Sequence, residues 1–164
     1  MNYWNNFIGH LRTILHHKKL VRHYCFKAGL YKQGIMHDWS KYSPTEFIQG
    51  VKYYQGGKRS PNYGEKIAKG YSSAWLHHKG RNRHHFEYWI DYCIAPDGSV
   101  HMGGCKMPQK YVAEMFCDRI AACRVYQGAA YTDASAYDYF QRSKGHIWIH
   151  EETTALLDRW LLLL

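Results

Sequence analysis

The chain has 164 residues, 46% of them apolar and 16% aromatic, enough to bury one core without disulfide or metal staples. No apolar run approaches the roughly 20 residues that cross a bilayer, and Met1-Asn2-Tyr3-Trp4 lacks the basic and apolar stretches of a secretory signal. A cytoplasmic protein without a membrane partner is therefore expected. The net charge of +9, with a pI near 9.3, asks for an anionic partner, either a small phosphorylated molecule or, secondarily, nucleic acid.

From the N-terminus, Phe7, Ile8, Leu11, Ile14, Leu15, Val21 and Cys25 recur at helical spacing. They predict a helix over residues 3–28, interrupted near His17-Lys18 and stopped by Gly29. A short segment at 35–39 leads into Ser43-Pro44-Thr45-Glu46, where Ser43 reads as an N-cap, Pro44 as the first helical residue and Glu46 as the capping-box partner. That helix carries Phe47, Ile48, Val51, Tyr53 and Tyr54 and ends at Gly56-Gly57.

A loop over 58–64 precedes a helix expected at 65–78, with Ile67, Ala68, Tyr71, Ala74, Trp75 and His78 on one face. Gly80 breaks it, and Asn82 can cap a helix to residue 94 with Phe86, Trp89, Ile90 and Cys93 inward. Residues 95–108, with Pro96-Asp97-Gly98 and Gly103-Gly104, form a loop or a small hairpin. Helices follow over 109–126 and from His150 or Glu151 onward, separated by a polar loop. Little alternates with the period of a strand. The expectation is an all-α fold: a compact single domain over 1–164, a bundle of about five to seven helices.

Five cysteines, never spaced as Cys-x-x-Cys, suit neither a disulfide framework nor a zinc–thiolate site. The twelve histidines are more telling by placement than by number. His37-Asp38 offers an imidazole nitrogen and a carboxylate oxygen side by side, a nitrogen and oxygen set suited to a divalent transition metal: Zn, Mn, Fe, Co or Ni. His77-His78 and His84-His85 bracket the basic turn Lys79-Gly80-Arg81-Asn82-Arg83. By helical phase His78 and His85 point inward, while His77 and His84 could complete the ligand set or meet substrate. Asp118 sits mid-helix among apolar residues, where a carboxylate is costly unless paired or bound to metal. Its neighbour Arg119 is the simplest partner. His23 precedes His37 on the first helix.

In order these residues read His23, His37-Asp38, His78, His85, Asp118, which resembles the HD superfamily of metal-dependent phosphohydrolases. His37-Asp38-Trp39-Ser40-Lys41 is similar to the His-Asp-apolar-small-Lys form common there. Over nearly its whole length the chain resembles still more closely an uncharacterised family of bacteria and phages, through that motif, Ser43-Pro44-Thr45-Glu46-Phe47, Trp75-Leu76-His77-His78, Asn82, His84-His85, Tyr88-Trp89, Met107-Pro108, Glu114-Met115 and Asp118.

The resemblance implies an HD-domain-like bundle holding one or two ions. His23, His37, Asp38 and Asp118 would bind the first, and His78 and His85, with His77 or His84, the second or a phosphate. Lys41, His77 and His84 are then the candidate catalytic groups, and Lys41, Arg81 and Arg83 the phosphate-binding ones. Glu46 and Glu87 would orient imidazoles. The short interval between the two His-His pairs suggests fewer than six ligands acting together. Hydrolysis of a phosphate ester, a nucleotide or other small phosphorylated substrate, is the leading expectation. A di-iron oxygenase or oxidoreductase on a similar scaffold, and a non-enzymatic nucleic-acid binder, are the rivals.

Overall fold

The first helix, α1 (Tyr3–Lys27), runs unbroken through His17-Lys18 in the computed structural model, which describes residues 3–164. Met1 and Asn2, used above to read the start, lie outside the described residues. His10, Ile14, His17, Val21 and Cys25 form the buried stripe of α1, at steps of three and four. Two histidines stand on that stripe, so the polar look of the central turn conceals a continuous inward face.

Gly29 turns the chain in the left-handed region (φ 72°) into α2 (Tyr31–Met36), and a 3₁₀ turn, Trp39–Tyr42, leads to α3 (Pro44–Lys52). Ser43 caps α3 as expected, its Oγ accepting from the Glu46 N–H at 3.4 Å, with Pro44 opening the helix. The other half of the capping box does not form: the Glu46 carboxylate is spent on His77 and His78.

The helix expected over 65–78 is two helices, α4 (Pro61–Lys69) and α5 (Ser73–Lys79), parted at Gly70 (φ 80°). Ser72 caps α5 by accepting from the Trp75 N–H at 3.0 Å. Ile67 and Tyr71 are consequently exposed, whereas Ala74 and His78 are buried. The corner is held by Glu65, which accepts from the Ser72 and Ser73 hydroxyls at 2.6 Å each, from Lys69 at 2.9 Å and from the Ala74 N–H at 3.3 Å.

The fold is mostly helical, with eight α-helices among the described residues and one two-stranded sheet, so it is not strictly all-α. In place of a helix to residue 94, a 3₁₀ turn (Phe86–Trp89) gives way to β1 (Ile90–Ile94), antiparallel to β2 (Val100–Gly104), with Ile90 opposite Gly104 and Ile94 opposite Val100. β-Branched and aromatic residues in Ile90-Asp91-Tyr92-Cys93-Ile94 favour a strand. The turn closes through Gly98 (φ 83°) and the Asp97 carboxylate, which accepts from the Ser99 N–H at 2.9 Å. β2 also lies against the segment before the last helix: a Cβ on Gly104 would stand 2.7 Å from the His150 backbone nitrogen.

The remaining helices are α6 (Gln109–Gln127), α7 (Ser135–Ser143) and α8 (Glu151–Leu162). α6 is the axis of the molecule. Its Cys117 and Ala121 pack on Val21 and Cys25 of α1, and its Val112, Met115, Ile120 and Cys123 pack on Ala136, Phe140, Leu157 and Leu161 of α7 and α8. Full burial of side chains such as Phe140 and Leu157 contributes about 1.5–3 kcal/mol each. α7 stands in the stretch expected to be a polar loop. The five cysteines are all free, and no described helix is long and apolar enough to cross a membrane.

Candidate metal centre

Asp38 is the pivot. It lies between α2 and the 3₁₀ turn at φ 55°, ψ 30°, the one non-glycine residue with positive φ among those described. Aspartate tolerates this region better than most residues, yet the conformation still costs about 1 kcal/mol or more. The turn buries the carboxylate, leaving it 1% exposed between α1, α5 and α6.

Its two oxygens face different groups of nitrogens. Oδ2 lies 3.3 Å from His37 Nε2 and 3.7 Å from His17 Nε2; these nitrogens stand 3.5 and 2.9 Å from Asp118 Oδ1. Oδ1 lies 3.3 Å from His78 Nε2 and 3.4 Å from His84 Nε2, and His85 Nε2 stands 2.8 Å from His78 Nε2. The two sets, His17, His37, Asp38 and Asp118, and Asp38, His78, His84 and His85, each offer one atom per residue within 4.8 Å of all the others. Ligands about 2.0–2.2 Å from a tetrahedral or octahedral ion lie about 3 Å apart, so both sets have the spacing of a coordination shell.

Hydrogen bonding supports the fit. His17 Nε2, His37 Nε2, Asp38 Oδ1 and His84 Nε2 are buried, and their close contacts with one another and with Asp118 lack hydrogen-bond geometry. Buried polar atoms are seldom left so, and here all four point into the two sets. Carboxylates behind the rings fix which nitrogen is bare. Glu114 Oε1 accepts from His37 Nδ1 at 2.9 Å and lies 3.2 Å from His84 Nδ1; Glu46 accepts from His78 Nδ1 at 2.8 Å and from His77 Nδ1 at 2.6 Å. With the proton on Nδ1, Nε2 of His37, His78 and His84 keeps its lone pair for an ion.

Electrostatics shows the pull of the carboxylates: against burial, Asp38, Asp118 and Glu114 raise His37 well above the ordinary imidazole value, and Asp38 and Glu46 raise His78, so an ion would compete with a proton at these rings. Burial alone would push the carboxyls of Asp38 and Asp118 up, but His37, Lys41 and His78 around the first, and His17 and His37 around the second, hold both well below the usual range. Burial, with His84 and His78 alongside, pushes His85 well down, so its imidazole stays neutral and free to ligate. Burial and Lys41 likewise lower His17. Lys41 Nζ lies 2.6 Å from Asp38 Oδ2.

A cleft of about 600 Å³ opens onto this cluster, with His17, Asp38, Lys41, His78, His85 and Asp118 in its wall. Of the predicted ligands, His37, Asp38, His78, His85 and Asp118 come together. His23 does not: two residues beyond Val21, it falls on the exposed face of α1, and His17 takes the place expected of it. His84 joins the second candidate set, while His77 stands behind His78 on Glu46 and does not line the cleft. Seven side chains converge on the two sets.

Arg81 and Arg83 also lie outside the cleft. Arg81 donates to the His77 carbonyl, and Arg83 donates to the Tyr111 hydroxyl at 3.3 Å. The cations that do line it are Lys41, Lys58, Arg59, Lys66 and Arg119. Glu46 orients imidazoles as expected; Glu87 contacts none and lines the cleft instead. His17 was legible from its phase with Ile14 and Val21, and Glu114 from its place one helical turn before Asp118.

Among known proteins, a family model described as a family of unknown function (DUF5662) matches residues 6–162. No curated protein and no solved structure matches the chain.

Proposed function

We propose that the chain, which belongs to the DUF5662 family of unknown function, is a metal-dependent hydrolase of phosphate esters, acting on a nucleotide or another small phosphorylated substrate. The carrying observation is the Asp38 carboxylate, one oxygen toward each of two nitrogen-rich ligand sets. His17, His37, Asp38 and Asp118 would hold one divalent ion, and Asp38, His78, His84 and His85 the other. The order of these residues also resembles that of the HD phosphohydrolases. Two such ions would act as Lewis acids on a phosphoryl group and make water acidic enough to supply hydroxide near neutral pH.

The chain's own groups have definite tasks. Glu114 and Glu46 hold the ligand rings in one tautomer, and Trp75 packs on the rings of His78 and His85, centroids 5.4 and 4.7 Å away, limiting their rotation. Four carboxylates (Asp38, Glu46, Glu114, Asp118) and one amine, Lys41, surround the cluster; two divalent ions would leave it net positive. That sign, and Lys58, Arg59 and Lys66 in the cleft wall, favour an anionic substrate. Lys41, beside Asp38 and in the cleft, is placed to meet a phosphate oxygen as a point charge.

The test is hydrolysis of p-nitrophenyl phosphate and a set of nucleotides by protein reconstituted separately with Zn, Mn, Fe, Co and Ni. Turnover abolished by His37→Ala, with folding retained, is the expected result. An O2-sensitive optical band in the iron form without any hydrolysis would move the reading to oxidative chemistry. Salt-steep binding of DNA or RNA, indifferent to His37→Ala and without turnover, would move it to nucleic-acid binding.

A further inference from the structure

Beyond the ligand sets, the cleft wall holds two charged side chains that each carry a buried, unsatisfied atom. Arg119 follows Asp118 on α6, and Glu87 lies two residues after His85, so each stands close in sequence to a ligand. Arg119 Nε and Glu87 Oε2 are both buried without a hydrogen-bond partner. The Arg119 guanidinium lies over the ring of Phe140, 5.1 Å from its centroid, and 5.9 Å from that of Tyr139. These rings fix the plane of the guanidinium but accept none of its N–H donors in the plane.

The two charges are near enough to attract, yet no hydrogen bond or ion pair joins them. Arg119 also forms no ion pair with its neighbour Asp118, whose carboxylate is directed at His17 and His37. A buried guanidinium Nε and a buried carboxylate oxygen, both unsatisfied and both on side chains of one cleft wall, are costly unless a ligand completes them.

From this we infer that Arg119 and Glu87 form the substrate-recognition wall of the cleft, Arg119 donating to an anionic oxygen and Glu87 accepting from a hydroxyl. The inference rests on the hydrolase reading and narrows it: the substrate is a phosphorylated polyol, with a sugar phosphate or the sugar phosphate part of a nucleotide as its chemical class. Arg119 supplies a planar fork suited to phosphate. Glu87, acceptor-only when ionised, discriminates against an ester whose alcohol part has no donor, because its buried oxygen would then stay unpaired.

Calorimetric titration of the metal-loaded full chain with ribose 5-phosphate and with inorganic phosphate tests this, alongside hydrolysis of p-nitrophenyl phosphate. Glu87→Gln is isosteric and is expected to weaken ribose 5-phosphate by tenfold or more while leaving inorganic phosphate within twofold. Arg119→Lys is expected to weaken both probes by tenfold or more, and thermal melts of each variant report on folding. Failure of wild-type protein to bind ribose 5-phosphate, or variants that bind both probes as wild type does, would overturn the inference and leave a bridging water as the partner of these groups. Loss of hydrolysis with the binding pattern intact would count against the hydrolase reading alone. Hydrolysis intact without the pattern would count against this wall alone.

Discussion

The difference between His17 and His23 is a matter of six residues and opposite faces of one helix. His17 Nε2 lies 2.9 Å from Asp118 Oδ1 and 3.7 Å from Asp38 Oδ2, whereas His23 is exposed. His17→Ala is expected to lower the affinity of its ion severely, whereas His23→Ala leaves metal content unchanged; elemental analysis of both variants decides it. Glu114 acts at one remove, through the Nδ1 protons of His37 and His84. Glu114→Gln should weaken metal binding about 10–100-fold, the usual effect of losing a carboxylate behind a ligand imidazole, measurable by competition with a chromogenic chelator. Equal metal affinity in Glu114→Gln and wild type would remove Glu114 from the account.

Among the elements, the α4–α5 corner sets the position of His77 and His78, and Glu65 holds that corner. Burial by itself would raise the Glu65 carboxyl, but hydrogen bonds from Ser72, Ser73, Lys69 and the Ala74 N–H bring it down to about 2, against 4.5 in the unfolded chain. A depressed carboxyl stabilises the fold fully above the unfolded value and loses that contribution as pH falls through the folded one. Glu65 should therefore contribute about 1–3 kcal/mol at neutral pH, the lower end reflecting screening of its partly exposed Lys69 partner, declining from pH 4.5 toward pH 2. Denaturant melts across that window should show the gap between wild type and Glu65→Gln closing as the acid is approached. A gap constant with pH would contradict the assignment.

The α1–α3 contact makes a second prediction. A Cβ on Gly50 would stand 2.0 Å from His10 Nε2, and His10 is only 8% exposed, packed against Phe47 and Tyr54. Gly50→Ala should thus destabilise by about 1–3 kcal/mol, with part of the loss recovered in the double variant with His10→Ala. Additive effects in that cycle would show that the ring moves aside freely.

At this scale the sequence was readable where local chemistry and burial agree. Ser43-Pro44 opens α3 as its capping pattern predicts, and the apolar stripe of α6 marks its whole length. It misled where tertiary contacts decide. Phe86, Trp89, Ile90 and Cys93 have helical spacing, yet Ile90–Ile94 finds a partner strand across the Asp97-Gly98 turn. α7 buries only Ser135, Ala136 and Phe140, too faint a stripe to stand out from a loop. The pairs around His37, His78 and His85 were visible because both residues of each pair carry chemistry. Glu114 and His17 sit at readable helical phases, but a lone polar residue on a buried face shows its purpose only when the other helices are in place.

For the whole molecule, the proposed metal centre would be a staple as well as a site. Its ligands come from α1, the turn after α2, α5, the segment before β1, and α6. Without ions, the buried carboxylates are offset only by Lys41, by protons taken up on imidazoles such as His37 and by hydrogen bonds. Ions bound by the folded state alone stabilise it by mass action, so chelation should lower the melting temperature of the wild-type protein and leave that of Asp38→Asn nearly unchanged. The most direct measurement is elemental analysis of purified wild-type protein, with Asp38→Asn beside it. The account predicts about two divalent transition-metal ions per chain, both lost or greatly reduced in Asp38→Asn because one carboxylate serves both sets. Wild-type protein that takes up no such ion when metals are supplied, and melts at the same temperature with and without chelator, would contradict it.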